Sequence, residues 1–295
     1  MRKVLAYTAG STGGRGAAML FNSSSILAEE EPMPNIVGLP EPDRGRLARS
    51  PLELVVCQVR HERRLVVGEG ATALAVHEAL GGAGGAYPSI DEVSGAELNV
   101  MMGLGVGASN VRETKTSGWR LTSVDGAWVI TLMPDNFSLE TSSYTSWDDE
   151  FAPRLNALID AVGEHVHPTF EQRIGLRYVD RINELGLTEL AAWQPYLRPE
   201  LLGLALHPQL GPGVRSYQQQ VVIDLADGVT AGLRHGPVVE PGRDVVDYQL
   251  DYDIYRQGGR PFDLNAVKGA TAQFNVFALQ LFQATISDAL LEELR

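Results

Sequence analysis

The sequence predicts an α+β protein built from two β-α-β-β-β-α units that share one twisted, mainly antiparallel sheet, with the long helices on one face. Three observations carry that expectation. Strand and helix signals run in the same order twice, an Asp-Gly hairpin pair recurs at Asp125-Gly126 and Asp227-Gly228, and matching elements stand at nearly constant spacing. Trp147 follows Leu52 by 95 positions, and Asp263 follows Phe170 by 93. The expected organisation is a disordered leader or upstream start over 1–32, a first unit over 33–168 and a second over 169–295.

In the leader, Thr8, Ser11, Thr12 and the glycines break the apolar run too early for a secretory signal, and GSTGGRG lacks the Lys-Ser/Thr pair of a phosphate loop. Residues 33–50 read as a Pro-containing arm. Leu52–His61 is Val- and Leu-rich and predicts a strand; Ala71–Leu80 predicts a short helix stopped by Gly81-Gly82. Gly81–Ser117 is a glycine-rich insertion longer than ordinary loops, with room for a short helix over Ala96–Met102; a surface insertion, a lid and a partner-binding loop are all open readings. Trp119–Val124, Trp128–Met133 and Phe137–Ser143 predict three strands, the first two joined at Asp125-Gly126. Ser146 is a helix cap with Asp148, Asp149 and Glu150 in the first turn, followed by a buried stripe of Trp147, Phe151, Leu155, Leu158 and Val162.

The second unit predicts a strand over Phe170–Ile182, a helix around Thr188–Leu206, strands over Val214–Leu225, Val229–His235 and Val245–Arg256, and a final helix after Asp263. Phe274, Phe277 and Leu281 line one side of that helix, and Val276, Leu279 and Phe282 widen the apolar surface. Such a helix is deeply packed or at an interface, which puts a homodimer among the possible assemblies.

Composition narrows the function classes. Lys plus Arg number 24 against 37 Asp plus Glu, and a net charge of −13 argues against a nucleic-acid partner. The single Cys57 excludes a disulfide framework and a Cys-rich zinc site, and no apolar run is long enough to span a bilayer. A cytoplasmic protein with no membrane partner and no cofactor is expected.

FEQRIGLRYVDRI is the most informative segment, because strand alternation separates Ile174, Leu176 and Tyr178 from Arg173, Arg177 and Arg181. The last strand likewise separates Tyr248, Leu250, Tyr252 and Ile254 from Asp247, Gln249, Asp251, Asp253 and Tyr255. Gln218, Gln220 and Asp224 extend the same polar surface. Two readings follow: cross-strand ion pairs that stabilise an exposed face, or arginines that clamp a carboxylate or phosphate. His235, at a strand end, is a candidate for the same ligand set. His165 and His167 supply only two imidazoles, too few for a metal, so no metal site is expected. Cys57 reads as a buried small residue, and Trp147 and Trp193 read as packing anchors. GxSxG, HExxH, a strand-following GxGxxG and a Walker loop are all missing from the sequence.

In topology the predicted units resemble the saddle of the TATA-box-binding fold, a likeness of fold that transfers no DNA binding. SPLELVVCQVRH, NFSLETSSYTSWDDEF and RIGLRYVDRI together resemble a sporadically distributed, functionally uncharacterised bacterial family with SLETxxYxxW and RIGLRY motifs. The matching positions are Ser138–Trp147 and Arg173–Tyr178, and the likeness runs from about Met33 to the C-terminus. Family members often carry Asn where this chain has Asp180. The resemblance implies a start near Met33 and no agreed reaction, cofactor or catalytic residue.

The expected function is a non-catalytic binding or accessory protein that recognises a peptide, a protein partner or an anionic small molecule on the polar sheet face. Its candidate ligand-binding residues are Arg173, Arg177, Arg181, Gln218, Gln220, Asp247, Asp251 and His235. The alternative is an enzyme of bacterial specialised metabolism that uses the same face, with His235, Asp251 or Tyr255 as acid or base.

Overall fold

Nine strands join in one antiparallel sheet, and period-2 apolar patterning leaves its central strands with one face that must be covered. The computed structural model describes residues 36, 38–94, 117–183 and 185–295, all within the body Met33–Arg295. The expectations for residues 1–32 and for a helix over Ala96–Met102 lie outside the described residues. The strands are β1 (Leu52–His61), β2 (Ser89–Ser94), β3 (Ser117–Thr122), β4 (Trp128–Met133), β5 (Asn136–Thr141), β6 (Phe170–Ile182), β7 (Gln219–Asp224), β8 (Val229–Val239) and β9 (Val246–Pro261). They lie side by side in the order β2-β3-β4-β5-β1-β6-β9-β8-β7. The helices among the described residues are α1 (Gly70–Ala79), α2 (Ala152–His165), α3 (Pro199–Leu202), α4 (Leu264–Thr285) and α5 (Asp288–Leu294).

The core lies between the sheet and α2 and α4. Val55, Cys57 and Val59 of β1, Ile174 and Leu176 of β6, and Leu250, Tyr252 and Ile254 of β9 meet Leu155, Leu158, Phe274 and Phe277 there. The broad apolar surface of α4 is consumed by deep packing: Phe274 and Phe277 are fully buried, and Val276 and Phe282 are also covered. Its other flank holds the N-terminal arm by two glutamines. Gln280 accepts from the Ile36 amide at 3.0 Å and donates to the Pro40 carbonyl at 2.9 Å, while Gln283 accepts from the Asp43 amide at 2.9 Å and donates to its carbonyl at 2.6 Å.

Both Asp-Gly pairs sit at hairpin turns, and each glycine takes the positive φ that the turn requires, 72° at Gly126 and 73° at Gly228. A bulge between Glu171 and Arg173 turns Glu171 to the core side, where it is buried and paired with Arg256 at 3.0 Å.

Two expectations need correction. The Gly81–Ser117 stretch is not all loop, since it contains β2, which pairs with β3 along its whole length. β2 escapes pattern reading because it is an edge strand with only Val93 buried. The expected helix around Thr188–Leu206 is instead a broken series of one-turn segments, Leu190–Trp193, Pro199–Leu202 and Gly203–Leu206. Pro195 and Pro199 lack the amide protons that a continuous helix needs, and Gly203 takes a φ of 46° that ends the second segment.

Candidate functional site

The odd-numbered face of β6 carries the three arginines, as alternation predicts, and β9 sets a carboxylate beside each. Arg177 holds Asp251 with Nε and Nη2 at 2.7 and 2.8 Å, Arg173 reaches Asp253 at 2.8 Å, and Arg181 reaches Asp247 at 2.7 Å. Arg234 of β8 adds a second guanidinium to Asp251 at 3.0 Å. Arg173 also lies over the Tyr255 ring, 4.8 Å from its centre. Gln220 is exposed opposite Arg234, and Gln218 is exposed just before β7. Arg173, Arg177, Arg181, Asp247 and Asp251 are therefore brought together as a ladder of ion pairs, with Gln220 at its margin.

His235 is not part of that group. It pairs with Leu250 on the core side of the sheet, is almost fully buried, and sits with Nδ1 2.9 Å from the Tyr248 hydroxyl. Tyr248 in turn donates to the Leu201 carbonyl at 3.2 Å. Burial lowers the pKa of His235. Cys57 is equally enclosed, and burial pushes its thiol up to about 12 against the opposing charge of Arg173. His165 ends α2, and His167, with a φ of 51°, belongs to the connector into β6. Among the described residues no group of three or more His, Cys, Asp or Glu side chains is placed to hold a metal ion.

On the core side the sheet, α4, the arm and the segment leading into α2 leave a cavity of about 730 Å³. Its lining brings together Tyr178 and Asp180 of β6, Tyr252 of β9, Asn275 and Leu279 of α4, Tyr144–Asp149, and arm residues Asp43–Leu47. Ser146 caps the helix as expected, accepting from the Asp149 amide at 3.2 Å. The first turn, however, is a wide π turn over Trp147–Phe151, with the Phe151 amide bonded to the Ser146 carbonyl at 3.0 Å. Phe151 is thus buried, while Trp147 stays half-buried on the cavity wall, stacked on Phe151 at 5.5 Å. Trp147 is a packing anchor and also a lining residue. Because the cap fixes this wall, Ser146→Ala is expected to cost about 1 kcal/mol, read as a fall of roughly 2 to 4 °C in the unfolding temperature.

Tyr178 donates to Asn275 Oδ1 at 2.7 Å and meets Tyr144 edge to face at 6.0 Å. Burial pushes the Tyr144 phenol up to about 12, so it remains a neutral hydrogen-bonding group. Asp180 is the unusual member. It is 6% exposed, and among the described residues no hydrogen bond or ion pair reaches its carboxyl group. Burial raises its pKa to about 8, and the negative charges of Asp251 and Glu53 act in the same direction.

The cavity was missed in the sequence, although one signal was present. Asp180 continues the even-numbered register of Ile174, Leu176 and Tyr178, so strand alternation puts an acid on the apolar face. No protein family matches the chain, and no curated protein does.

Proposed function

We propose that this chain is a non-catalytic binding or accessory protein whose ligand occupies the cavity beside Asp180. One observation carries the reading: a space within the size range of small-molecule sites is lined by a largely buried carboxyl group that has no partner among the described residues. Of the acid and base candidates of the alternative reading, His235 is held within the core, Asp251 is committed to two arginines and the Tyr255 ring lies against Arg173. The polar sheet face supports a second reading, contact with a peptide, protein or anionic molecule. Val222 favours it, because this residue is 61% exposed and lies in line with Gly232, Asp253 and Arg177. An anion docking there has to displace existing ion pairs.

We also infer a duplicated origin in the manner of the TATA-box-binding saddle. Its support is the strand order, in which β1 and β6 are central neighbours, flanked by β5 and β9, then β4 and β8, then β3 and β7. We also propose a relation to the bacterial family with SLETxxYxxW and RIGLRY motifs, on the matching positions Ser138–Trp147 and Arg173–Tyr178. A cytoplasmic setting fits the described residues, none of whose helices is long and apolar enough to cross a membrane.

The test is native mass spectrometry of the protein purified from its own host, under gentle and denaturing conditions. The expected result is an added mass of a few hundred daltons that is lost on denaturation. It should disappear in Leu279→Trp, which fills the cavity from α4 while keeping the unfolding temperature close to that of the wild type. A bare chain, or an added mass that Leu279→Trp retains, would overturn the cavity reading.

A further inference from the structure

Resting on that cavity reading, we propose that the ligand is an organic cation, an amine of aromatic or alkyl body, with the Asp180 carboxylate as its counter-ion. An ionised carboxylate buried without a partner is expensive, and among the described residues no cation pairs with Asp180. A bound ammonium supplies it. The walls suit the same chemistry, since Tyr144, Trp147, Tyr178 and Tyr252 are aromatic and aromatic rings attract cations within about 6 Å of their centres. The Asn275 amide and the Tyr144 phenol add neutral polar groups to the lining.

The charges around the site favour a cation over an anion. On β6, Tyr178 stays neutral; β9 contributes the neutral Tyr252 and, from the opposite face, Asp251 together with its paired Arg177 and Arg234, and β1 contributes the exposed Glu53. The segment before α2 places Asp148 and Asp149 at the mouth, together with Tyr144. The arm brings Asp43, Arg44 and Arg46, of which Asp43 pairs with Arg295 and Arg46 donates to the Thr145 carbonyl at 3.5 Å. The side chains that α4 lends to the lining, Asn275, Val276, Ala278, Leu279 and Phe282, are uncharged. Among the lining residues the acids Asp43, Asp148, Asp149 and Asp180 thus stand against Arg44 and Arg46. Binding a cation at neutral pH converts Asp180 from acid to carboxylate, so a proton leaves as the amine enters.

Calorimetry with three probes of one shape tests this: phenethylamine, phenethyl alcohol and 3-phenylpropanoate, at pH 7 in phosphate and in Tris. The amine is expected to bind one to one, at least about tenfold more tightly than the alcohol, with a buffer-dependent heat equal to release of about one proton. Asp180→Asn should lower amine affinity by at least about tenfold and leave alcohol binding nearly unchanged. The wild-type proton release stands as an independent readout should the variant fold poorly. Equal or tighter binding of the alcohol or the carboxylate, full amine affinity in Asp180→Asn, or no amine binding at millimolar concentration would overturn the cation. A neutral or anionic co-purifying mass that Leu279→Trp abolishes would also overturn it and leave the cavity reading standing, whereas a bare native chain removes both.

Discussion

Asp180→Asn is expected to raise the unfolding temperature at pH 8.5 and to leave it near the wild-type value at pH 4. Burial lifts the carboxyl pKa from 3.8 to about 8, so between those values the folded chain keeps a proton that the unfolded chain releases. Stability rises with pH only where the unfolded state binds more protons, and here it binds fewer. The penalty is therefore absent below about pH 4, grows with pH, and is complete above about pH 8. Each pH unit of difference is worth about 1.4 kcal/mol, and water in the cavity relieves part of the total, which sets the expected gain on the order of 3 kcal/mol. That corresponds to roughly 6 to 12 °C for a domain of this size. Thermal unfolding followed across pH 4 to 9 checks it. A constant offset between the two proteins would show that Asp180 does not carry the proton, and would remove the electrostatic basis for the cation.

Asp251→Ala should be the most damaging change on the other face of the sheet. Its carboxylate is 4% exposed and receives three guanidinium contacts, two from Arg177 and one from Arg234. Removing one partner of a buried pair costs about 3 to 5 kcal/mol because the charge left behind stays desolvated. Side-chain exposures of 17% for Arg177 and 21% for Arg234 allow some rehydration, so a loss of about 3 kcal/mol is expected. Asp253→Ala should cost less, on the order of 1 kcal/mol, because Arg173 keeps its contact with the Tyr255 ring. Denaturant unfolding of the two variants gives the comparison. Added sulfate should then stabilise Asp251→Ala and not the wild type, since only the variant offers two arginines without that carboxylate. Equal stabilisation of both would favour anion capture by the intact face.

The regular strands were legible because their information is local. Period-2 alternation places Arg173, Arg177 and Arg181 on one face of β6, and the structure puts them there. Leu52–His61, Trp128–Met133 and Phe170–Ile182 have the boundaries their patterning predicts. Local reading failed where burial did not follow the period. β2 is an edge strand with one buried side chain, and residues 188–206 carry apolar residues at helical spacing but prolines that forbid a helix.

The sequence by itself determined the fold class, the two-sided character of the central strands and the apolar demand of the last helix. Each of these follows from residues within a few positions of one another. Only the tertiary structure decided that the arginines are neutralised by β9, that His235 lies on the opposite side of the sheet, and that Asp180 faces a cavity. Those facts depend on cross-strand register and on five chain segments, 43–52, 144–149, 178–180, residue 252 and 275–282, converging from far apart in sequence. Alternation fixes which face a side chain occupies; pairing and packing fix what it meets there.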